Sequence, residues 1–347
     1  MLAFPLGFQE LEIAGRALEG GETPRTAAST LDPSSAIQRR RDRGGPDQAS
    51  ENERPDASTL LLAIHHTDLT IAAVRVCTLG DLALDVTVRL AGPLAEGGDT
   101  EAEIGLSPGG QAANVAAWSS KLGAESTFIG KRGADLAGQL AAEDLDKRGV
   151  RVLGPAEGKT GVVCALVSPD GQRSLAPDRG AAGALRPEEI EARWLAGCDH
   201  LFVSGYALFQ EPVRTAARSA VAFARDEGAS VSVDLSSWSA LRNAGANEFR
   251  DLLTRLAPDV VFANEEEERV FGGPLPESVW ILKRGARGCS FAGDERAALP
   301  VERVVDTTGA GDALAAGWIV GGADLALEAA SQCVQQVGAM PVRSGSP

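Results

Sequence analysis

The sequence predicts an α/β fold, namely a doubly wound, mostly parallel sheet with helices on both faces, plus a small β lid. From about Ala72 onward, short apolar β-type runs alternate with longer helical segments, as in a parallel sheet covered by helices. Two helical segments stop at a glycine, Gly123 and Gly149, which is typical of helices that end in a left-handed residue. Two further stretches contain strands with no helix between them, and these predict the lid.

The elements of the predicted sheet follow one another along the chain. A β-type run at 74–79 ends at Gly80 and is the first predicted strand. The later elements are, in order, a helix at 112–122, a strand at 127–129, a helix at 135–148, a strand at 200–204, a helix at 212–227, strands at 230–235 and 260–262, a helix at 265–271, a strand at 279–282 and a helix at 313–320. Strand and helix thus come in pairs, as parallel strands with helical crossovers require.

Two stretches, 84–104 and 161–175, predict the strands of the lid. The second contains Pro169, Asp170 and Gly171 in succession, residues that favour a turn between strands. Extra strands inserted into a doubly wound domain commonly form a flap over the ligand cleft. We therefore expect lid strands within about 84–108 and 160–180.

Residues 1–70 differ from the rest of the chain. The segment 20–58 is polar and rich in Pro, Gly and Ser, with a charged run at 39–43. Such a segment buries too little apolar surface to offset the conformational entropy lost on folding. We predict a disordered N-terminal extension at 1–70, or an over-extended start of translation, followed by an α/β domain at 71–347. A targeting peptide fits poorly because the segment is acidic and has no apolar secretory core.

Composition narrows the class of protein. The 347 residues are 44% hydrophobic and 23% charged, which is ordinary for a soluble globular enzyme. The net charge of −15 disfavours nucleic acid as a partner, since binding its phosphates needs a basic face. The sequence contains no long apolar run of the kind that spans a membrane. Five scattered cysteines without a CxxC pair indicate a reducing compartment, and we expect a cytoplasmic enzyme.

One glycine-rich segment, 154–160, is similar to a phosphate-binding P-loop but is one residue short of the GxxxxGK[ST] pattern. The loop must wrap a phosphate with consecutive amides, so the missing residue matters. We interpret this segment as a turn that leads into a lid strand.

A second segment, Asp306 to Asp312, runs directly into a helix. As a dinucleotide fingerprint it fails, because Leu314 stands where the third glycine is required. Its small residues let backbone N–H groups at a helix start approach an anion closely. A carboxylate there has a function if it must meet a substrate hydroxyl beside a transferring phosphoryl group. A simple helix-capping role is the alternative for Asp312.

A third segment, 108–114, also runs into a helix. Gly109 and Gly110 permit close approach of a ligand to the backbone, and Asn114 can donate and accept hydrogen bonds to vicinal hydroxyls. A Gly-Gly turn before a helix is common, so this segment alone decides little.

Together the second and third segments resemble the two signatures of the ribokinase-like (PfkB) family of carbohydrate and nucleoside kinases. The first signature resembles 109–114, continuing from Gly123 to Gly133, and the second resembles 306–312 followed by Ala316 and Gly317. They occur in the family's order, roughly 200 residues apart, and the resemblance covers about four-fifths of the chain. It implies a kinase that uses ATP and Mg²⁺.

The resemblance implies roles for residues around the phosphoryl group. Asp312 would remove the proton of the substrate hydroxyl, and the amides of Gly309, Ala310 and Gly311 would form an anion hole for the γ-phosphoryl. Asn264 and Glu267 are similar to the family's NxxE motif, which places Mg²⁺ and the phosphates through water. A solvated helix start is the other interpretation of the acidic run at 265–268, where negative charge suits the helix dipole.

Further roles follow from the same resemblance. The segment 283–288 is similar to the strand and turn that line the nucleotide, which implies a role in nucleotide binding for Lys283, Gly285 and Gly288. Asp85 matches the family position that binds sugar hydroxyls, together with Gly109, Gly110 and Asn114. Asp306 and Thr308 align with positions that hold a monovalent cation, K⁺, in some members. In this family lids often pair into a homodimer, and an exposed flap edge fits that arrangement.

The sequence does not decide between substrate classes. A small sugar is the leading prediction, with ribokinase-, fructokinase- and 2-keto-3-deoxygluconate kinase-like activities considered. A nucleoside kinase, acting on adenosine or pseudouridine, is the alternative, and its base platform would come from Phe128, Tyr206 or Phe209. A non-catalytic sugar- or nucleotide-binding protein on the same fold is the other alternative. Arg179 is either a surface residue or a partner for an acidic or phosphorylated sugar.

Two features depart from the family pattern. Trp318 stands where the second signature has a smaller apolar residue, and its bulk affects packing behind the anion hole. The connection at 320–325 is short, whereas many family members have a longer one before the helix that contributes to the adenine pocket.

Overall fold

A computed structural model describes residues 73–170 and 173–342. The predicted disordered extension at 1–70 lies outside the described residues. Within them, the predicted alternation of strands and helices is present, and the elements are numbered below in chain order.

The main sheet has nine strands in the order β13-β12-β11-β10-β9-β8-β1-β4-β5. Seven of them are parallel, and β12 and β13 extend the sheet as an antiparallel edge. The strands are β1 (Arg75–Leu79), β4 (Glu125–Ile129), β5 (Val150–Leu153), β8 (His200–Ser204), β9 (Ser230–Asp234), β10 (Val260–Asn264), β11 (Val279–Lys283), β12 (Cys289–Phe291) and β13 (Asp294–Arg296). This arrangement confirms the predicted fold class.

Seven α-helices in the described residues cover the main sheet. They are α1 (Gln111–Lys121), α2 (Leu136–Lys147), α3 (Val213–Asp226), α4 (Trp238–Ala244), α5 (Ala246–Leu256), α6 (Glu265–Phe271) and α7 (Ala310–Cys333). Alternate residues of the central strands enter different cores. In β10, Val261 packs with α3 and α5, whereas Phe262 packs with α1 and α7. Helices therefore lie on both faces, which explains why the strands read as unbroken apolar runs.

The two stretches without helices form a second sheet. Its strands are β2 (Ala83–Leu90), β3 (Ala102–Gly109), β6 (Thr160–Val167) and β7 (Arg173–Gly180), in the order β3-β2-β6-β7. The predicted turn at 169–171 lies partly outside the described residues. Because β2 follows β1 after a short connection, this four-stranded sheet begins at the carboxyl end of the main sheet.

Helix α7 differs from its prediction. It begins at Ala310 and continues to Cys333, so the predicted helix at 313–320 was too short. Gly321 and Gly322 leave the helical backbone and kink the element, which lets the chain turn without a separate loop. By length and composition this helix passes as a membrane span. Its residues Ala313 to Ala316 are buried in the core against the main sheet, and a soluble core helix meets the same criteria.

Candidate active site

The candidate site lies at the carboxyl edge of the main sheet, where four parallel strands end in polar residues. Ser204 is level with Asp234 across β8 and β9, and Asn264 is level with Lys283 across β10 and β11. Parallel strands bring all four side chains to one edge, as expected for ligand sites of open α/β sheets.

Asp312 is the third residue of α7 and faces the first turn of α1. Asn114 Nδ2 donates a 2.8 Å hydrogen bond to Asp312 Oδ2. Burial raises the pKa of the Asp312 carboxyl to about 7, and the hydrogen bond from Asn114 opposes the shift. A carboxylate that titrates near neutral pH is well matched to proton transfer.

The predicted anion hole forms the start of α7. Gly309 is the N-cap at φ 78°, and a Cβ there would lie 2.5 Å from Ala339 Cα, so the position requires glycine. The Ala310 N–H already donates a 3.3 Å bond to Thr307 O. The first amides of a helix have no partner within the helix, so the Gly311 N–H can donate to an anion.

Lys283 connects the anion hole to the strand ends. Its Nζ lies 2.6 Å from Asp234 Oδ2, and a Cβ built on Gly311 would be 3.3 Å from the same Nζ. The Asp234 side chain is fully buried. The carboxylates of Asp234, Glu267 and Asp312 together hold the pKa of Lys283 above its usual value, although burial opposes the shift. The ammonium therefore stays charged beside the start of α7.

Asn264 and Glu267 form a capping box at the start of α6. Asn264 Oδ1 accepts hydrogen bonds from the amides of Glu266 and Glu267 at 3.0 and 2.9 Å. Glu267 Oε2 in return accepts the Asn264 N–H at 2.8 Å. Burial raises the pKa of the Glu267 carboxyl. Glu267 is only 3% exposed, whereas Glu265 and Glu266 are exposed, so the inward-facing Glu267 and a solvated helix start are compatible.

A cavity of about 540 Å³ opens next to these residues. One end carries Asn264, Lys283 and Gly311, and the remainder is largely apolar. The full lining is Asn264, Lys283, Gly285, Ala286, Gly288, Ala298, Leu299, Pro300, Val301, Val304, Thr307, Ala310, Gly311, Leu314, Leu327, Ala330, Ser331 and Val334. A polar end beside an apolar body matches the shape of a nucleotide. The part of α7 beyond the glycine kink supplies one wall, so the short connection at 320–325 does not remove it.

The predicted acceptor-binding residues lie on the other side of Asp312. A Cβ added to Gly109 would meet the Asp85 carboxylate at 2.2 Å, so the two residues are in close contact. Gly110 has φ 103°, and a Cβ there would lie 2.2 Å from Asp81 O. The glycine pair thus allows α1 to begin against the β1–β2 connection. Asp85 lies against Gly109, and Asn114 donates to Asp312; Asp85, the two glycines and Asn114 are called the acceptor surface below.

Arg179 reaches this surface from β7. Its Nε and Nη2 donate to Asp81 Oδ2 and Oδ1 at 2.8 and 2.6 Å, and its guanidinium lies 5.8 Å from the ring centre of Tyr206. The Arg179 side chain is 24% exposed and that of Asp81 14%. The surface-residue interpretation of Arg179 is therefore wrong, because the residue ties the second sheet to the end of β1.

The predicted monovalent-cation residues lie in the turn before α7. Asp306 Oδ1 accepts hydrogen bonds from the Thr308 amide and hydroxyl at 2.9 and 2.6 Å. Asp306 Oδ2 accepts the Gly338 N–H at 3.1 Å. These contacts join the start of α7 to the segment that follows it.

Comparison with known proteins agrees with this arrangement. A family model for the pfkB family carbohydrate kinases matches residues 74–347. The chain belongs to the PfkB family of carbohydrate kinases. It is 33% identical over 281 residues to an ATP-dependent ribose-1-phosphate kinase of Halopiger xanaduensis, covering 75% of this chain and 90% of the relative. By its family and its named relatives, the protein is a carbohydrate kinase.

Solved structures share the fold. An adenosine kinase from Sinorhizobium meliloti has a TM-score of 0.70 at 24% identity, covering 78% of this chain and 97% of that one. A protein from E. coli, provisionally named ribokinase II and solved with ATP and Mg²⁺, has a TM-score of 0.66 at 26% identity, covering 78% and 96%. The PfkB kinase described here thus has the ribokinase-like fold.

The structure decides three further sequence-based interpretations. Phe128 is fully buried in the core with α1 and α2, so it was wrongly considered as a platform for a base. Trp318 stacks on Phe291 with ring centres 5.3 Å apart, and its bulk is accommodated by that contact. The segment 154–159 connects β5 to β6, as predicted, and its Lys159 pairs with Asp178.

Sequence reasoning missed Asp81, Asp234 and Ser236. Asp234 is the next-to-last residue of the strand predicted at 230–235, and an acid in that position was the available signal. Asp81 directly follows the glycine that ends β1, in the same kind of position. Nothing in the local sequence singled out Ser236, since its importance depends on contacts with distant residues.

Proposed function

We propose that this PfkB kinase transfers the γ-phosphoryl group of ATP to a hydroxyl of a small neutral sugar. The observation that carries the proposal is the position of Asp312. Its carboxylate lies between the apolar cavity that ends at Lys283 and the surface formed by Asp85, the Gly109–Gly110 pair and Asn114. Phosphoryl transfer depends mainly on such positioning and on charge neutralisation.

In the proposed mechanism Asp312 accepts the proton of the sugar hydroxyl. The hydroxyl oxygen forms a bond to the γ-phosphorus, and the bond between that phosphorus and the oxygen of the leaving ADP breaks. The Gly311 amide and the Lys283 ammonium neutralise negative charge on the transferring group. Asp234 keeps Lys283 charged and directed towards the start of α7. The proton remains on Asp312 until it is released to solvent.

The residues fit Mg²⁺ held mostly by phosphate oxygens and water. The described residues contain no group of three or more His, Cys, Asp or Glu side chains able to hold a metal, and Mg²⁺ in kinases commonly takes only one or two protein carboxylates. Asn264 and Glu267 would hold its water ligands. Mg²⁺ held there would supply positive charge that neutralises the phosphates of the nucleotide.

Activation by K⁺ is a further proposal for the turn at Asp306 and Thr308. Asp306 accepts hydrogen bonds from Thr308 within the turn and from Gly338, 32 positions later, and Asp306 and Thr308 would hold the cation there. Turnover in KCl compared with an equal concentration of choline chloride tests it. Equal rates in the two salts would contradict activation.

Charge favours a neutral sugar over a sugar phosphate. Asp81 already neutralises Arg179, and Asp85 and Asp312 leave the acceptor surface acidic. The hydroxyl groups of a sugar can donate to these carboxylates, whereas the phosphate group of a sugar phosphate would be repelled by them. The similarity to a ribose-1-phosphate kinase makes that sugar phosphate the competing acceptor. A nucleoside is disfavoured because Phe209 packs on Phe249 and Tyr206 lies beneath Arg179.

We further propose that the second sheet is a lid of the kinase domain at 71–347 and forms a homodimer contact. Apolar residues of β2, β3 and β6 face the same side by register, namely Leu84, Val86, Val88, Ile104, Leu106, Val162, Cys164 and Leu166. Strand alternation places this face opposite Asp85. Ile104 and Leu106 are each 63% exposed, and a second copy of the same face would cover them.

The oligomeric state of the purified protein tests the lid contact. Leu106→Lys should convert a dimer to a monomer in light scattering, whereas Val279→Lys, at an exposed strand start in the main sheet, should not. A dimer that persists in Leu106→Lys would contradict the lid contact. The composition and the sugar-kinase assignment lead us to propose the cytoplasm as the site of action.

The proposed activity is tested by following ADP release with ATP and Mg²⁺ against a panel of acceptors. The panel contains ribose, fructose, 2-keto-3-deoxygluconate, ribose 1-phosphate, adenosine and pseudouridine. Turnover of a neutral sugar that is lost in Asp312→Asn supports the proposal. Preference for ribose 1-phosphate or a nucleoside would overturn the neutral-sugar assignment, and ATP binding without turnover would point to a non-catalytic binding protein.

A further inference from the structure

The amide of Gln111 occupies a fixed position beside Asp312. Gln111 is the first residue of α1, three positions before Asn114, so both side chains lie on the same face of the helix. Asn114 donates to Asp312 at 2.8 Å. The Gln111 side chain lowers the pKa of Asp312 and so opposes the effect of burial. Gln111 and Asn114, one helical turn apart, therefore both act on the same carboxylate.

The orientation of the Gln111 amide is set by two serines. Ser204 Oγ and Ser236 Oγ donate to Gln111 Oε1 at 2.6 and 2.5 Å. With both lone pairs of Oε1 occupied, the Nε2 group must point away from the serines, which leaves it as a donor on the Asp312 side. Ser204 is the last residue of β8, and Ser236 lies just after β9. Two strands of the sheet therefore hold one amide.

The backbone around Ser236 is built for this contact. Ser236 has φ 67°, a conformation that is uncommon for residues other than glycine. Its N–H donates to Asp234 Oδ1 at 2.9 Å, while Asp234 Oδ2 pairs with Lys283. The carboxylate that fixes Lys283 therefore also fixes the serine that orients Gln111. An unfavourable backbone conformation kept at a ligand site indicates a specific use of that residue.

We propose that Gln111 is a positioning residue that holds the Asp312 carboxylate ionised and directed at the acceptor hydroxyl, with Ser204 and Ser236 locking its amide. The inference rests on the proposed function of Asp312 as base. Other charged or titratable groups that face Asp312 are Asp234 of β9, Lys283 of β11 and Cys333 at the end of α7. Gln111 and Asn114 supply hydrogen bonds that stabilise its ionised form.

The pH dependence of kcat/KM tests this role. In Gln111→Met one donor is lost, so the acidic limb of the profile should move to higher pH by about one unit. Gln111→Glu has the same length but places a second carboxylate beside Asp312, and it should move the limb further. Activity lost at pH 6 should return largely at pH 9, since the base is then ionised without help. Ser236→Gly suits the positive φ and should move the limb in the same direction by less.

A measurement without turnover separates this inference from the proposed function. The Asp312 carboxyl carbon can be followed by ¹³C NMR in protein labelled at aspartate, with Asp312→Asn identifying its signal. The titration midpoint should rise in the order wild type, Gln111→Met, Gln111→Glu. If the midpoints follow this order but the wild type turns over no acceptor, the result would support the positioning role and refute the kinase mechanism.

A matched control is Gln139→Met, an exposed glutamine on α2, which should leave both the kinetic limb and the NMR midpoint unchanged. An unshifted limb and midpoint in Gln111→Met would overturn the proposal. A raised KM for the acceptor at every pH, with an unshifted limb, would also overturn it and make Gln111 an acceptor-binding residue.

Discussion

Asn114 Nδ2 lies 2.8 Å from Asp312 Oδ2, and this hydrogen bond joins two residues that are 198 positions apart in the chain. The bond links the first turn of α1 to the first turn of α7. Each helix begins at a glycine whose backbone tolerates no side chain, Gly110 in one case and Gly309 in the other. The two signature segments of the sequence therefore form two sides of one site, and Asp312 is where they meet.

Asp312→Asn should lower kcat by about 10³-fold, because the amide cannot accept the proton of the attacking hydroxyl. Binding of ATP should change little, since the nucleotide cavity and Lys283 remain in place. The rate of ADP release measures the effect on kcat, and a titration with ATP measures the effect on binding. Asp251→Asn, at an exposed position on α5, is the matched control and should keep full activity. Comparable turnover in Asp312→Asn would rule out its role as base.

The same substitution should make stability depend differently on pH. Burial raises the pKa of Asp312 to about 7 in the folded protein from an unperturbed 3.8. Between these values the unfolded chain releases the proton while the folded protein retains it, so the wild type loses stability as pH rises. Asparagine does not titrate. Urea denaturation should show Asp312→Asn gaining, relative to wild type, more than about 1 kcal/mol on going from pH 4 to pH 8.

A pH-independent difference between the two proteins would contradict the raised pKa. The expected result also shows a conflict between stability and activity at this site. A carboxylate held away from water weakens the folded state at neutral pH, yet it is the ionised form that the chemistry uses.

The fold could be predicted from the sequence because local pattern and tertiary structure agree along most of the chain. The strand at 200–204 and the helix at 265–271 were predicted with the bounds that the structure has. The predicted length of helix α7 was too short because Gly321 and Gly322 resemble the end of a helix, whereas here they kink a helix that continues. Local sequence does not distinguish these outcomes, since the packing of 326–333 against the sheet decides between them.

The candidate site was predictable only where its residues lie within motifs. Asp312, Asn114 and the glycines came from two contiguous segments that resemble the family's signatures, and that resemblance implied their roles. Lys283 was predicted to line the nucleotide, but its buried pairing with Asp234, 49 positions earlier, was not. Contacts of this range depend on strand order in the sheet, which no local pattern encodes. The capping partnership of Asn264 and Glu267 is local, and an Asn followed three residues later by Glu is a usual pattern for it, yet the two residues were predicted only as ligands that act through water.

Filling the cavity should separate nucleotide binding from acceptor binding. Ala330 lines the apolar part of the cavity on the portion of α7 beyond the kink. A phenylalanine there would occupy the space of the base, and Ala330→Phe should raise the Kd for ATP by more than about tenfold. Calorimetric titration measures it. Ala222→Phe, exposed on α3, should bind ATP normally, and unchanged affinity in Ala330→Phe would place the nucleotide elsewhere.

The pair of Arg179 and Asp81 should contribute more than a surface ion pair. Both side chains are mostly buried and joined by two hydrogen bonds. Arg179→Met leaves Asp81 buried without its partner, and we expect a loss of about 2 kcal/mol in the free energy of unfolding. Lys159→Met breaks the exposed pair with Asp178, so its cost should be much smaller than that of Arg179→Met. Urea denaturation of the two variants compares them directly, and equal costs would mean that Arg179 does not anchor the second sheet.

If the anchor also holds the lid over the acceptor, Arg179→Met should raise the KM for the sugar while Lys159→Met leaves it unchanged.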